Sequence, residues 1–150
     1  MSPIRRKKKV NPGKVRNATL SLVDGIQFKS KLEAYCYKRL KEENIKAEYE
    51  KYVFVLQPGF ELKSKSYEPN KRSKNFEPAT NKIRPITYKP DFVNITDNWI
   101  IECKGYPNDS FPIKWKMFKW YLKQQKNHVT LYLPRNLKQI DEVIKLIKQK

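Results

Sequence analysis

Two short segments place acids where apolar residues would be expected: Tyr88-Lys89-Pro90-Asp91-Phe92-Val93 and Trp99-Ile100-Ile101-Glu102-Cys103-Lys104-Gly105. Glu102 and Lys104 follow three apolar residues and stand two apart, so on a strand they share one face. The turn Thr96-Asp97-Asn98 joins the two segments into a hairpin, which sets Asp91 close to Glu102 across the ladder. Two carboxylates side by side raise each other's pKa. A divalent cation removes that conflict. Oxygen donors from Asp91, Glu102 and the Cys103 carbonyl suit magnesium, which keeps waters that a phosphate can replace. Such an ion polarises a phosphate and lowers the pKa of a bound water. Lys104 is placed to steer that water or to stabilise the charge building on phosphorus. The competing reading is an ordinary sheet with a cross-strand Asp–Lys or Glu–Lys pair. The Glu-x-Lys triplet does not decide between them, because it also occurs in a polar stretch at Glu61-Leu62-Lys63.

A third acid, Glu33, falls three and seven residues before Cys36 and Leu40, on the inner edge of an apolar helical stripe. A buried carboxylate needs a partner, and a metal or Lys104 would supply one. Alternatively Glu33 reaches solvent or pairs with Lys29 or Lys38. One histidine, His128, and two cysteines, Cys36 and Cys103, leave little material for His-based triads, multi-His metal sites, zinc sites or a disulfide framework. Catalysis in this chain therefore has to run on carboxylates, lysine or an oxygen-held metal.

The elements that must position these groups follow from periodicity and turn signals. Leu20 to Phe28 reads as a hairpin turning at Asp24-Gly25. Ser30 to Glu43 reads as a helix with Leu32, Cys36 and Leu40 on one side. Tyr49 to Leu56 is rich in Val, Tyr and Phe and reads as a strand ended by Pro58-Gly59. Residues 61–82 are polar and read as a long loop or a ragged hairpin extension, an insertion of the kind that is functional or mobile in a compact domain. Ile83 to Ile95 and Trp99 to Cys103 read as strands. Pro112 to Lys126 reads as a helix with Trp115, Phe118 and Leu122 as its apolar stripe and Lys116, Lys119, Lys123 and Lys126 as a basic one. Trp99, Trp115 and Trp120 are expected in the core. Val129 to Leu133 is a strand. Asn136 caps a last helix whose apolar face is Leu137, Ile140, Ile144 and Ile147. The order helix, three strands, helix, strand, helix describes an α/β sandwich around one mixed sheet.

The chain has 150 residues and a net charge of +18, from 33 Lys and Arg against 15 Asp and Glu. Its length suits one domain. Residues 1–17 read as a disordered basic arm carrying Arg5, Arg6, Lys7, Lys8 and Lys9, with residues 18–150 as the folded domain. The remainder beyond residue 16 still carries +11, well above the charge of about 2 to 8 that solubility asks of a small domain. A polyanion partner, foremost nucleic acid, is the natural reading. The basic start lacks a following apolar stretch, so secretion is not indicated, and no window is apolar enough to span a membrane. Lys114, Lys116 and Lys119, near the start of the helix that follows the acid-bearing strand, are expected on a phosphate backbone, the alternative being an ordinary solvated helix face. The N-terminal arm would add salt-sensitive affinity.

The Pro-Asp then Glu-x-Lys arrangement resembles the PD-(D/E)XK nuclease superfamily. More closely, residues 23–122 resemble a family of small phage-encoded proteins in it, through the stretches VDGIQFKSKLEAYCYKRL, FVLQPGFE, KIRPITYKPDFV, IIECKG and IKWKMFKW. These are akin to the phage endonuclease I type of Holliday-junction resolvase, whose F-x-S-x-x-E, Pro-Asp-Phe and Glu-x-Lys-Gly segments are matched by Phe28, Ser30 and Glu33, by Pro90-Asp91-Phe92, and by Glu102-Cys103-Lys104-Gly105. The resemblance implies a restriction-endonuclease-like αβββαβ core, with a central mixed sheet flanked by helices. It implies Glu33, Asp91 and Glu102 as metal-binding carboxylates, Lys104 as the catalytic lysine, and magnesium as the ion, with manganese substituting. It further implies a homodimer in the bacterial host cytoplasm that cuts branched DNA such as a four-way junction. The polar insertion at 61–82 is longer than in those resolvases, and its Lys63, Lys65, Lys71, Arg72 and Lys74 are further candidates for DNA contact. The competing expectations are another nuclease on the same core (restriction-like, nicking or end-processing) and a DNA-binding protein without catalysis.

Overall fold

The computed structural model describes residues 20–149. The basic arm expected at 1–17, with Arg5, Arg6 and Lys7 to Lys9, lies outside them. Strands β1 (Ser21–Val23) and β2 (Ile26–Phe28) form a hairpin, and Asp24 and Gly25 both take positive φ, as a two-residue turn of this kind requires. Helix α1 (Lys31–Glu42) follows. The chain then makes β3 (Glu48–Tyr49), β4 (Phe54–Gln57), β5 (Phe60–Glu61), β6 (Tyr67–Pro69), β7 (Phe76–Pro78), β8 (Lys82–Ile83), β9 (Ile86–Tyr88), β10 (Phe92–Asn94) and β11 (Trp99–Ile101). Helix α2 (Phe111–Gln124), β12 (Thr130–Tyr132) and α3 (Leu137–Lys148) complete it.

The central sheet is mixed, in the order β12-β11-β10-β3. The pairs β10–β11 and β10–β3 are antiparallel, and β11–β12 is parallel. Both of its faces are covered. Against one face, α1 and α3 bury Phe28, Cys36, Leu40, Phe92, Trp99, Ile101, Ile140 and Ile144. Against the other, α2 buries Trp115, Phe118 and Leu122 on Val93, Ile100, Leu56 and Tyr88. Phe92 and Val93 thus point to opposite faces, as do Ile100 and Ile101, by the alternation of a strand. Two-sided burial explains why β11 reads as an uninterrupted apolar run. The molecule is a mixed α/β protein with the expected order of three helices about a mixed sheet.

Some expected elements are divided. The strand expected over 49–56 is two pieces in different ladders: β3 joins the central sheet, while β4 pairs with β9. The break falls at Glu50, whose φ of 46° is unusual for a residue other than Gly, Asn or Asp. The strand expected over 83–95 is likewise β8, β9 and β10, interrupted at Pro85 and Pro90, which have no N–H for a ladder. Pro58-Gly59 ends the strand, since β4 stops at Gln57, but not the hairpin. The polar stretch continues it as β5–β8 and β6–β7, so residues 54–88 form one long two-stranded arm. Trp120 is 60% exposed and not part of the core. On α3, Val143 is buried and Leu137 is half exposed, shifting the inner face from the expected stripe.

Candidate active site

The register Phe92↔Ile101, extended by one residue, sets Asp91 opposite Glu102 at one end of the sheet. Each is held there by backbone pairing that outlasts the regular strands. Glu50 N–H donates to the Asp91 carbonyl at 2.8 Å, Glu102 N–H to the Tyr132 carbonyl at 2.9 Å, and Lys104 N–H to the Pro134 carbonyl at 3.0 Å. The Asp91 side chain crosses the ladder and accepts the Cys103 N–H at 2.7 Å. By alternation Glu102 and Lys104 share the face of Ile100, the side covered by α2. Lys104 Nζ lies 3.3 Å from Glu102 Oε1 and 4.7 Å from the centre of the Phe111 ring, at the first residue of α2.

Asp91 is 8% exposed, Glu102 4% and Glu33 5%. Burial, then the Glu102 and Glu33 charges, push the Asp91 carboxyl well above the ordinary value, although the Cys103 N–H and Lys104 act against this. Burial also raises Glu102, with the Tyr88 hydroxyl and Lys104 only partly offsetting it. The end of the sheet therefore gathers more acid than Lys104 beside Glu102 offsets, which favours the protonated form of Asp91.

Glu33 enters from the first turn of α1. Ser30 caps that helix by accepting the Glu33 N–H at 3.2 Å, and its own hydroxyl donates to Glu33 Oε1 at 2.8 Å. Glu33 Oε2 accepts the Lys29 N–H at 3.2 Å and the Tyr49 hydroxyl at 2.6 Å. The Ser-x-x-Glu spacing is that of a capping box, so Glu33 has a structural task as well as its charge. It neither reaches solvent nor pairs with the Lys29 or Lys38 ammonium, the alternatives open from sequence.

Two tyrosines that sequence reasoning passed over complete the arrangement. Tyr88 donates its hydroxyl to Glu102 Oε2 at 2.7 Å, and Tyr49 does the same for Glu33. Burial and these carboxylates push both phenols above the usual range, so they remain donors. Tyr88 opens one acid-bearing segment and Tyr49 opens an expected strand far from Glu33 in sequence, and both read equally well as core. Beside them Glu50 accepts from Lys29 and from Lys89, the latter at 3.1 Å. Burial opposes the Lys29 ammonium, yet Glu50 outweighs it and raises its pKa.

Asp91, Glu102 and the Cys103 carbonyl are hard oxygen donors, and two buried carboxyls that resist ionisation side by side fit a divalent cation of the magnesium type. Among the described residues no three His, Cys, Asp or Glu side chains converge as a ready-made cage. That is compatible with magnesium, which is commonly held by one or two carboxylates together with water and phosphate. Cys103 offers only its backbone, because the Cys36 sulfur beside it and burial push its thiol well above the ordinary range.

Of the cations expected on a phosphate backbone, Lys116 and Lys119 are exposed on α2 and Lys114 is half-buried. Lys119 Nζ lies 5.5 Å from the Trp115 ring. His128 is exposed ahead of β12. A hollow of about 930 Å³ opens at the opposite end of the sheet, lined by Tyr37, Asn44, Asn94 and Asp97 among others, and none of the acid cluster lines it.

Fold and site together define a mixed α/β protein whose sheet gathers a buried acid pair and a lysine at one end. A family model described as a protein of unknown function, DUF1064, matches residues 14–139, and the chain belongs to that family. No curated protein and no solved structure matches the chain. No helix among the described residues is long and apolar enough to cross a membrane.

Proposed function

We propose that the protein is a metal-dependent DNA endonuclease of the PD-(D/E)XK type, with a restriction-endonuclease-like core, acting on branched DNA such as a four-way junction. The observation that carries this reading is the placement of Asp91 and Glu102 opposite each other, both buried and both raised above the ordinary carboxylate value by that burial, with Lys104 on the same face as Glu102. A bound magnesium or manganese ion would supply Lewis-acid polarisation of a phosphodiester and an acidified water. Asp91 and Glu102 would hold it, with the Cys103 carbonyl. Glu33 adds the third negative charge and, through Ser30 and Tyr49, fixes the start of α1 against the site. Lys104 holds an ammonium beside Glu102, where it can orient a water or meet charge building on the phosphate. Tyr88 donates to the second Glu102 oxygen and helps to orient that carboxylate.

Structure-selective cutting needs recognition of shape and backbone more than of bases, which suits a charge of +18 and the exposed lysines of α2. A homodimer would allow paired cuts across a junction. A second reading, nucleic-acid binding without catalysis, draws on the Glu33 carboxylate, whose oxygens are already engaged by Ser30, Lys29 and Tyr49.

The test is a cleavage assay in magnesium or manganese on a four-way junction, a fork and a linear duplex side by side. Preferred cutting of the junction supports the full reading, and equal cutting of all three supports another nuclease on the same core. Binding without cleavage leaves the second reading. Asp91→Asn, Glu102→Gln and Lys104→Ala should each lower cleavage on the order of a thousandfold while junction binding persists. Full activity in any of them would remove that residue from the site.

A further inference from the structure

Residues 58–85 include no buried residue, and none belongs to either hydrophobic core cluster. They are nevertheless ordered into paired strands, which a two-stranded ribbon does only marginally on its own in water. The order comes from local polar bonding. Asn70 accepts the Arg72 and Ser73 N–H groups on its side-chain oxygen, at 2.8 and 3.2 Å. Its backbone closes the tip through Asn70 N–H to the Asn75 carbonyl and Lys74 N–H to the Asn70 carbonyl, both at 2.8 Å. The Tyr67 and Phe76 rings stack across the ribbon at 6.3 Å, although Phe76 is 72% exposed.

The charges of this ribbon are sorted. Glu68 and Glu77 stand opposite each other in the register, an unfavourable pairing for like charges. Both are satisfied internally: Glu68 by the Ser66 hydroxyl, Glu77 by the Ser73 hydroxyl and the Asn70 amide, which hold Glu77 below the ordinary carboxylate range. The cations are treated differently. Lys82 stands opposite Glu61 in the register, whereas Lys63, Lys65, Lys71, Arg72 and Lys74 form no ion pair among the described residues, and three of them ring the tip. The root of the arm is the rung Phe54↔Tyr88, and Tyr88 is the residue bonded to Glu102. The ribbon therefore rises directly from the acid cluster.

We propose that this arm is a nucleic-acid prong: it lies along a groove of a duplex whose backbone reaches the acidic end of the sheet, and Lys71, Arg72 and Lys74 close on phosphates beyond it. The inference rests on the reading that the acid cluster meets a nucleic acid, and it adds the element that grips the flanking duplex. A two-stranded ribbon fits the major groove, which is about 12 Å wide. The eleven residue steps from Gly59 to Asn70 span up to about 35 Å at strand spacing, enough to cross it.

The test compares the full chain with its K71Q/R72Q/K74Q variant. Binding to a labelled duplex and a labelled four-way junction is followed by fluorescence anisotropy in EDTA, from about 50 to 200 mM salt, alongside cleavage in magnesium. The variant should bind roughly tenfold more weakly, with a salt slope shallower by about 3, close to one for each phosphate that is no longer neutralised. An unchanged melting temperature would show that the tip substitutions leave the fold intact, and K71R/K74R should keep the slope. Identical affinity and slope in parent and variant overturn the prong, even if the parent cleaves DNA. A variant that keeps its DNA binding but loses self-association in sedimentation also overturns it, because the arm then meets a second copy of the chain. A shallower slope without cleavage by either protein upholds the prong while the nuclease reading fails. A parent that binds no DNA ends both.

Discussion

At the acidic end of the sheet, charged groups are held by the fold: Asp91 by the Cys103 N–H, Glu102 by Tyr88 and Lys104, Glu33 by Ser30, Lys29 and Tyr49. At the tip of the 54–88 arm, acids are satisfied, but the cations form no ion pairs among the described residues. One region fixes its atoms closely, as the proposed bond-breaking chemistry would demand. The other fixes only a backbone and leaves long side chains to adapt, as contact with a polymer of variable shape demands. The two regions share a single rung at Tyr88, so positional accuracy and adaptability are joined without being mixed.

The contrast breaks most visibly in stability. Phe118→Ala, which empties a fully buried site under α2, should cost about 3 to 5 kcal/mol in chemical denaturation. Phe76→Ala on the arm should stay within about 0.5 kcal/mol, because its ring is exposed and no core rests on it. Comparable losses at the two sites would mean that the arm is part of the cooperative fold.

A smaller effect isolates the shared rung. Tyr88→Phe removes one hydrogen bond to a buried carboxylate and should cost about 1 to 2 kcal/mol by the same measurement. It should also lower magnesium-dependent cleavage while leaving the salt slope of DNA binding unchanged. A changed slope with normal cleavage would reverse the division of labour.

A further difference is one of sign. Asp91 has its folded pKa raised above the ordinary 3.8, so the native state keeps its proton to higher pH than the unfolded chain. Stability of the metal-free protein should therefore fall as pH rises from that value through the raised one. Asp91→Asn should flatten this part of the profile and raise the melting temperature at neutral pH by a few degrees, on the order of 1 kcal/mol, in EDTA. Magnesium should raise the melting temperature of the parent and leave Asp91→Asn nearly unmoved. A variant less stable than the parent at neutral pH would show that the buried acid is not strained.

The order of elements was readable because two-sided burial writes β11 as an apolar run and because the turn at 96–98 forces Asp91 toward Glu102. Three features were unreadable or only half readable, each for a physical cause. The arm read as either a long loop or a ragged hairpin extension, the form it takes, because its pairing has no alternation of apolar residues; side-chain bonds at Asn70 and Ser73 take that role instead. The hydroxyls of Tyr49 and Tyr88 are hidden in residues that read as core. The divisions at Glu50, Pro85 and Pro90 split strands whose composition is continuous, because a missing N–H or a turned φ acts at one residue and periodicity averages over many.

The rung between Gln57 and Ile86 is also a seam. Beyond it, lengthening the ribbon adds closure entropy only slowly, by about 0.6 kcal/mol for a doubling, and disturbs neither hydrophobic cluster of the body. Length and tip sequence are thus free design variables of this scaffold. Grafting a different ribbon above Gln57 and Ile86 would exchange the proposed grip for another while the acids keep their register.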